Sequence, residues 1–315
     1  MTGPALISLA IKAATVADQE RLGIGLRTLQ AEDGTISVTP DPAHGGVVIA
    51  CISELQLEIV VDRLKREFGV VASVGRPQIA YKETVTRPGS GEMKYYERTD
   101  AGPRYAHVRV RVSPGSGYVF DTGAALGVLP DKFIQAVDEG IQEALTRGVF
   151  TGYRVDDVRV VFDDGSYSDV ESSELAFRIA GAMAFRDAAR RAGPAILEPI
   201  MQVDVDAPEE HMQAVLRDLL KRRGAVRTHE AREGRGIITA CVPLSQMFGY
   251  ASGLQSQTGG RGTFRMEFDR YRVLDMPDGD EGSCDSLVRA PRNPVPYPRL
   301  TGEALPEPHW NEPDD

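Results

Sequence analysis

The sequence predicts an α+β protein of three consecutive units, the first and third of them ferredoxin-like. Three observations predict this. Six stretches carry apolar residues at helical spacing, separated by short alternating or β-branched runs. The order strand–helix–strand–strand–helix–strand occurs twice, once before Gly75 and once after Ile196. The 315 residues, 42% hydrophobic, are enough for two or three cores. The expected boundaries are residues 1–75, 76–195 and 196–275, with an acidic tail over 276–315.

In the first unit, Leu6 to Ile11 is a strand. Thr15 offers an N-cap with Asp18 three residues on, a variant of the capping box. Leu22, Leu26 and Leu29 form a helical stripe that Asp33 and Gly34 end. Ile36–Val38 and Val47–Ile52 are strands joined by a turn over Pro40–Gly46. Ser53 caps a second helix whose expected inner face is Leu55, Ile59, Val60, Leu64 and Phe68. Lys65 and Arg66 read as its solvated side. Val70–Val74 closes the unit.

In the second unit, Gln78–Thr86 alternates as one strand, and Pro88–Gly91 is a turn. Tyr105–Val112 sets Val108, Val110 and Val112 against His107, Arg109 and Arg111, a half-buried strand with a basic outer face. His107 has no nucleophile paired with it in any recognisable motif and reads as a surface residue. Val119–Thr122 is a short strand. After Pro130 comes a helix with Phe133, Val137, Ile141 and Leu145 on one face. Val155–Phe162 is a strand, and Asp164 opens a polar loop containing Gly165, Ser166, Tyr167 and Asp169. Ser172 or Ser173 caps the next helix, with Glu174 in its first turn. Leu175, Ile179 and Met183 are its expected buried face, with Ala176, Ala180 and Ala184 beside them.

In the third unit, Ile200–Val205 is a strand. Ala207, Pro208 and Glu209 start a helix with Met212, Val215, Leu216 and Leu219 inward, ended by Gly224 after Lys221, Arg222 and Arg223. Ala225–Thr228 and Ile237–Val242 are strands, Leu244–Leu254 a helix, and Thr263–Phe268 the last strand. Arg222, Arg223, Arg227 and Arg261, with Phe248 and Tyr250, offer phosphate contacts and stacking. The competing reading is cations at a helix end and aromatics in a small core.

The net charge is −10. Residues 276–315 hold nine acids against three arginines, and the rest 37 acids against 33 bases. The overall field therefore excludes a generally basic nucleic-acid binder, and RNA contact must use local patches. No apolar run reaches the ~20 residues of a membrane span. The N-terminus lacks signal-peptide features, and Cys51, Cys241 and Cys284 lack metal or disulfide spacing, so a reduced cytoplasmic setting is expected. No G-x-x-x-x-G-K-[ST] occurs; the Gly259–Gly262 loop has no following Lys-Ser/Thr. No G-x-S-x-G elbow or metal-spaced His/Cys set appears. The expectation is a non-enzyme with no cofactor of its own.

Several stretches together resemble elongation factor G. Ser53-Glu54-Leu55-Gln56-Leu57-Glu58-Ile59 and Val61 to Phe68 are similar to its third domain. Gly127-Val128-Leu129-Pro130, Ala136 to Glu143 and the loop Asp164 to Phe177 resemble its fourth. Glu198-Pro199-Ile200-Met201, Arg222-Arg223-Gly224 and Pro243 to Ala251 resemble its fifth. The resemblance covers roughly residues 4–268. It implies that the middle unit is a ribosomal-protein-S5-like α+β domain whose tip is built from two loops, Thr99–Tyr105 and the Asp164 loop. Arg104, Tyr105, Gly165, Ser166, Tyr167 and Asp169 would lie at that tip. The chain departs from the family pattern at Ser53, Gln56, Ser168 and Asp100-Ala101-Gly102-Pro103-Arg104. The tail does not resemble the family and is expected to be disordered.

The resemblance implies a ribosome-binding relative without the GTPase motor, docking near the factor and A sites and modulating elongation. Its partners would be ribosomal RNA and, as a second candidate, tRNA. It would act as a monomer, away from membranes, and GTP would bind only the absent domain. The alternatives are a truncated or split translocase working with a separate GTPase chain, a ribosomal protection-type factor, or an unrelated enzyme or sensor built on ferredoxin-like units.

Overall fold

In a computed structural model of the chain, residues 5–41, 46–99, 102–123, 129–232 and 234–274 are described, the side chain of Arg232 excepted. The expected tail and Cys284 lie outside them, as does most of the Pro40–Gly46 turn.

The first unit comprises strands β1 (Ile7–Ala13), β2 (Ser37–Asp41), β3 (Gly46–Cys51) and β4 (Ala72–Val74), with helices α1 (Val16–Glu32) and α2 (Glu54–Arg66). The sheet order is β2-β3-β1-β4. Both helices start where the sequence sets a cap. Thr15 accepts from the Asp18 N–H at 3.1 Å, and Ser53 from the Gln56 N–H at 3.3 Å. Leu22, Leu26 and Leu29 are buried on α1. On α2 the inner face is Leu57, Val60 and Leu64, whereas Leu55 and Ile59 are exposed. The expected face was one stripe too far round, because apolar residues occupy two adjacent stripes of this helix. Pro40 sits within β2, an edge strand, where its missing N–H costs least.

The expected single strand over Gln78–Thr86 is two. β5 (Gln78–Ile79) pairs with β1 of the first sheet, and β6 (Lys82–Val85) pairs with β11 of the third. The chain crosses between sheets at Ala80–Tyr81.

The middle sheet runs β7 (Gly89–Thr99), β8 (Gly102–Pro114), β10 (Val158–Ser166), β9 (Tyr118–Asp121), with α3 (Asp131–Arg147) and α4 (Glu174–Arg191) packed on one side. The expected turn at Pro88–Gly91 is instead the start of β7, in register with β8 from Gly89↔Val112 to Thr99↔Gly102. Glycines at 89 and 91 broke the strand pattern in sequence, and they are required by α4. A Cβ at Gly89 would lie 2.6 Å from the Ala188 carbonyl oxygen, and one at Gly91 would collide with that of Ala184. Close approach also resets the buried face of α4, which is Ala176, Phe177, Ala180, Gly181, Ala184, Phe185, Ala188 and Ala189. Leu175 is exposed, and Ile179 and Met183 are half-buried, correcting the expected face.

β9 and β10 are parallel, so α3, which joins them, runs back along the sheet, as does α4 after β10. Phe133 stacks on Phe177 with centroids 4.5 Å apart, and a Cβ at Gly181 would come within 2.8 Å of the Val137 carbonyl oxygen. The two helices are therefore parallel neighbours, with their carboxyl ends together.

The third unit comprises β11 (Pro194–Pro208), α5 (Met212–Lys221), β12 (Ala225–Arg232), β13 (Arg235–Pro243), α6 (Tyr250–Thr258) and β14 (Thr263–Val273). Its order, β12-β13-β11-β14, repeats the first sheet's topology. The expected helix over Leu244–Leu254 is a 3-10 turn at Leu244–Gln246 and then α6, with Gly249 left-handed between them. A 3-10 turn, Glu209–His211, likewise precedes α5. The buried residues of the first and third units form one contiguous apolar cluster, and the middle unit has its own.

Candidate functional site

The last rung joining β8 to β10 is His107↔Ser166. Residues 102–106 of β8 run beyond it, paired only with β7, a projection of roughly 17 Å at ~3.3 Å per residue. Beside this hairpin lies the loop 167–173 between β10 and α4. Of the expected tip residues, Arg104 and Tyr105 lie in β8, and Gly165 and Ser166 end β10; none of the four is in a loop. The strands are longer than the sequence suggested because Gly165 and Ser166 remain in register with Val108 and His107. A Cβ at Gly165 would sit 2.7 Å from the His107 carbonyl oxygen, which explains the glycine.

The structure nevertheless brings the two stretches together. The Tyr105 hydroxyl and Ser166 Oγ are 2.8 Å apart. The Tyr105 N–H donates to the Glu171 carbonyl at 3.0 Å, and Ser172 Oγ donates to the Tyr105 carbonyl at 2.8 Å. The loop is closed on itself: the Ser172 N–H donates to the Ser168 carbonyl at 3.0 Å, and the Ser168 N–H to Ser172 Oγ at 3.0 Å. Ser173 is the cap of α4, accepting from the Ala176 N–H. Tyr167 keeps 41% of its surface exposed, with its ring 5.8 Å from that of Phe133. Asp169 and Val170 are exposed, Val170 to 93%. The loop is thus outside the body but held rigidly against the hairpin.

His107 has partners that sequence reasoning missed. Its Nε2 is 2.7 Å from Glu92 Oε1, and its Nδ1 is 3.2 Å from Ser166 Oγ. The His107 interaction holds the Glu92 carboxyl below its usual range. The signal was hidden because Glu92 lies on β7, the strand the sequence did not reveal. Along the same face Arg109 pairs with Asp164 at 2.9 Å and Arg111 with Asp163 at 2.6 Å; on the opposite face of β8 Arg104 approaches Glu97 at 3.6 Å. The expected basic outer face is therefore a ladder of neutralised pairs.

The second group of candidates, on the third unit, is mostly committed to the fold. Tyr250 is 1% exposed and packs edge-on against Phe264, so its ring is a core element and not a stacking surface. Arg222 is half-buried, donating to Asp218 at 2.9 Å and to the Gln246 carbonyl at 2.5 Å over the Tyr250 ring. It ties α5 to the turn before α6. Arg223, at φ 61, reaches the buried Glu198 at 2.5 Å, and Arg272 joins it at 3.3 Å. Arg227 pairs with Asp269 at 2.8 Å, and Arg261 with Glu210 at 2.5 Å. Both remain about half exposed. Arg222 and Tyr250 are thus in contact within the fold, while Arg227 and Arg261 are each held by a separate acidic partner.

Among the described residues no group of three or more His, Cys, Asp or Glu side chains is placed to hold a metal, and no helix is long and apolar enough to cross a membrane. Cys51 and Cys241 are buried free thiols, and burial pushes Cys51 up to about 12.

Two sheets of one topology precede and follow, along the chain, a unit that ends in a hairpin and a loop, and comparison with protein-family models says which class of protein has this build. Residues 3–76 match elongation factor G domain III, residues 77–193 match elongation factor G domain IV, and residues 195–279 match the elongation factor G C-terminus. The chain belongs to the elongation factor G family. A crystal structure from Thermus thermophilus is similar at 34% sequence identity and a TM-score of 0.69. The similarity covers 87% of this chain and 41% of that one, so this chain spans less than half the length of that relative.

Proposed function

We propose that this chain docks on the ribosome through its projecting hairpin and loop and modulates elongation without a nucleotide-driven step of its own. The observation that carries this reading is the Tyr105–Ser166 contact, which locks two segments 61 residues apart into one exposed tip. The ion pairs along β8 leave the tip little net charge. Recognition there rests on shape, on the hydroxyls of Tyr105 and Ser166, and on the half-exposed Tyr167 ring stacking on unpaired bases. Arg227 and Arg261 supply secondary phosphate contacts by exchanging their carboxylate partners. The setting is the cytoplasm, and the chain acts as a monomer without cofactor.

Co-sedimentation of the full chain with purified ribosomes tests this. Enrichment in the pellet is expected at low salt, weakened by Tyr167→Ala. Absence of the chain from the pellet at low salt, where phosphate contacts are strongest, overturns the reading.

A second reading, supported by the 41% coverage of the solved relative, is the C-terminal part of a translocase that works with a separate GTPase chain. Ribosome binding that appears only when such a GTPase is added would favour it.

A further inference from the structure

We propose that Arg147, Arg186 and Arg190 form an anion site that takes a phosphate group, at the end of the middle unit opposite the tip. The placement follows from the fold. Arg147 is in the last turn of α3, and Arg186 and Arg190 are one turn apart near the end of α4. The carboxyl ends of both helices lie away from the tip, and the charges of Arg147 and Arg190 act on Arg186. Arg147 and Arg190 are exposed and Arg186 is half-buried between them.

Most arginines among the described residues have an acid beside them; these three have none there. The nearby acids are already engaged: Asp187 with Arg191 at 3.0 Å, and Glu143 with Arg178. Burial and the neighbouring charges of Arg147 and Arg190 disfavour the charged form of Arg186. A guanidinium does not lose its proton in a protein, so a bound anion offsets this crowding where deprotonation does not.

A simpler account is that the cations answer the two helix dipoles. Each carboxyl end carries about half a negative charge, so two ends offset roughly one of the three positive charges. About two remain. Planar guanidinium groups bind phosphate oxygens in pairs, which suits a phosphodiester or a free phosphate better than a lone carboxylate. The site does not depend on ribosome docking, because it lies away from the tip and is tested without ribosomes.

The experiment uses the full chain and a fluorescent single-stranded RNA of mixed sequence, with inorganic phosphate as competitor. Arg147→Gln/Arg190→Gln is the test variant. Arg27→Gln/Arg217→Gln, on the flanking units, is the control; neither of its arginines has an acidic partner among the described residues. Removing the pair at the site is expected to weaken RNA binding at least about threefold. It should also flatten the slope of log affinity against log salt by about 1.4, two phosphate contacts at ~0.7 each. The control should change neither to that extent. Displacement of RNA by phosphate at equal phosphorus concentration assigns the site to free phosphate; displacement only by unlabelled RNA assigns it to the RNA backbone. No binding of RNA or phosphate at low salt, or equal losses in test and control variants, overturns the proposal.

Discussion

Glu83 organises more backbone than any other single side chain described. It is fully buried on β6, and its carboxylate accepts from the N–H groups of Val149, Phe150, Thr151, Gly152 and Tyr153 and from the Thr151 hydroxyl, at 2.6 to 3.2 Å. The loop after α3 is thereby wrapped around one anion, whose burial is offset by charge-assisted hydrogen bonds. Removing the anion would leave five N–H groups without a partner. Glu83→Ala is expected to lower stability by about 3 kcal/mol or more in urea unfolding, and Glu83→Gln by less, because the amide oxygen still accepts. Equal stability of Glu83→Ala and the parent would refute this account. Nothing in the sequence marked Glu83, because its donors come from residues 66 to 70 positions away. Tyr105 and Ser166 were legible through family wording, whereas the Glu92–His107–Ser166 chain was not. One of its members sits on a strand whose glycines hid it.

At the scale of elements, the helices were legible and their faces were not always so. A cap is a local signal, and Thr15, Ser53 and Ser173 each start a helix where the sequence put it. A face is a tertiary choice. On α4, Leu175, Ile179 and Met183 keep helical spacing as well as Ala176, Ala180 and Ala184 do. The stripe that wins is the small one, because Gly89 and Gly91 let the helix backbone come down onto β7 and the flanking Phe177 and Phe185 fill the margins. This fixes the orientation of the helix whose first turn holds the tip loop. Phe177→Ala is therefore expected to cost about 3–5 kcal/mol, since the ring is fully buried and stacked on Phe133. Leu175→Ala, at a site 47% exposed, should stay within about 0.5 kcal/mol of the parent. Chemical denaturation of the two variants decides between the faces; the reverse order of losses would restore the face read from the sequence.

Across the whole molecule, the repeat of one sheet topology was visible in the order of elements, but the joining of the two repeats was not. Ile79 continues the first sheet and Lys82 begins a rung of the third, so four residues of chain tie the outer units together. The Tyr271 hydroxyl donates to the Ala80 carbonyl at 2.9 Å, Lys82 lies over the Tyr271 ring and pairs with Asp156 at 2.6 Å, and the Gly249 N–H reaches Glu54 at 3.1 Å. The outer units share one apolar cluster, while the middle unit, carrying the tip, closes around its own. A core is the unit of cooperative melting, so the chain should unfold in two calorimetric transitions rather than three or one. Phe177→Ala should move only the transition of the middle unit. Leu57→Ala, in the shared cluster, should move only the other, taking the first and third units down together. A third transition, or a single one displaced as a whole by either substitution, would mean that the cores are not the boundaries of cooperativity. On this account the tip is carried by a body that folds independently of the two sheets behind it, and the short strand β6 is what registers one against the other.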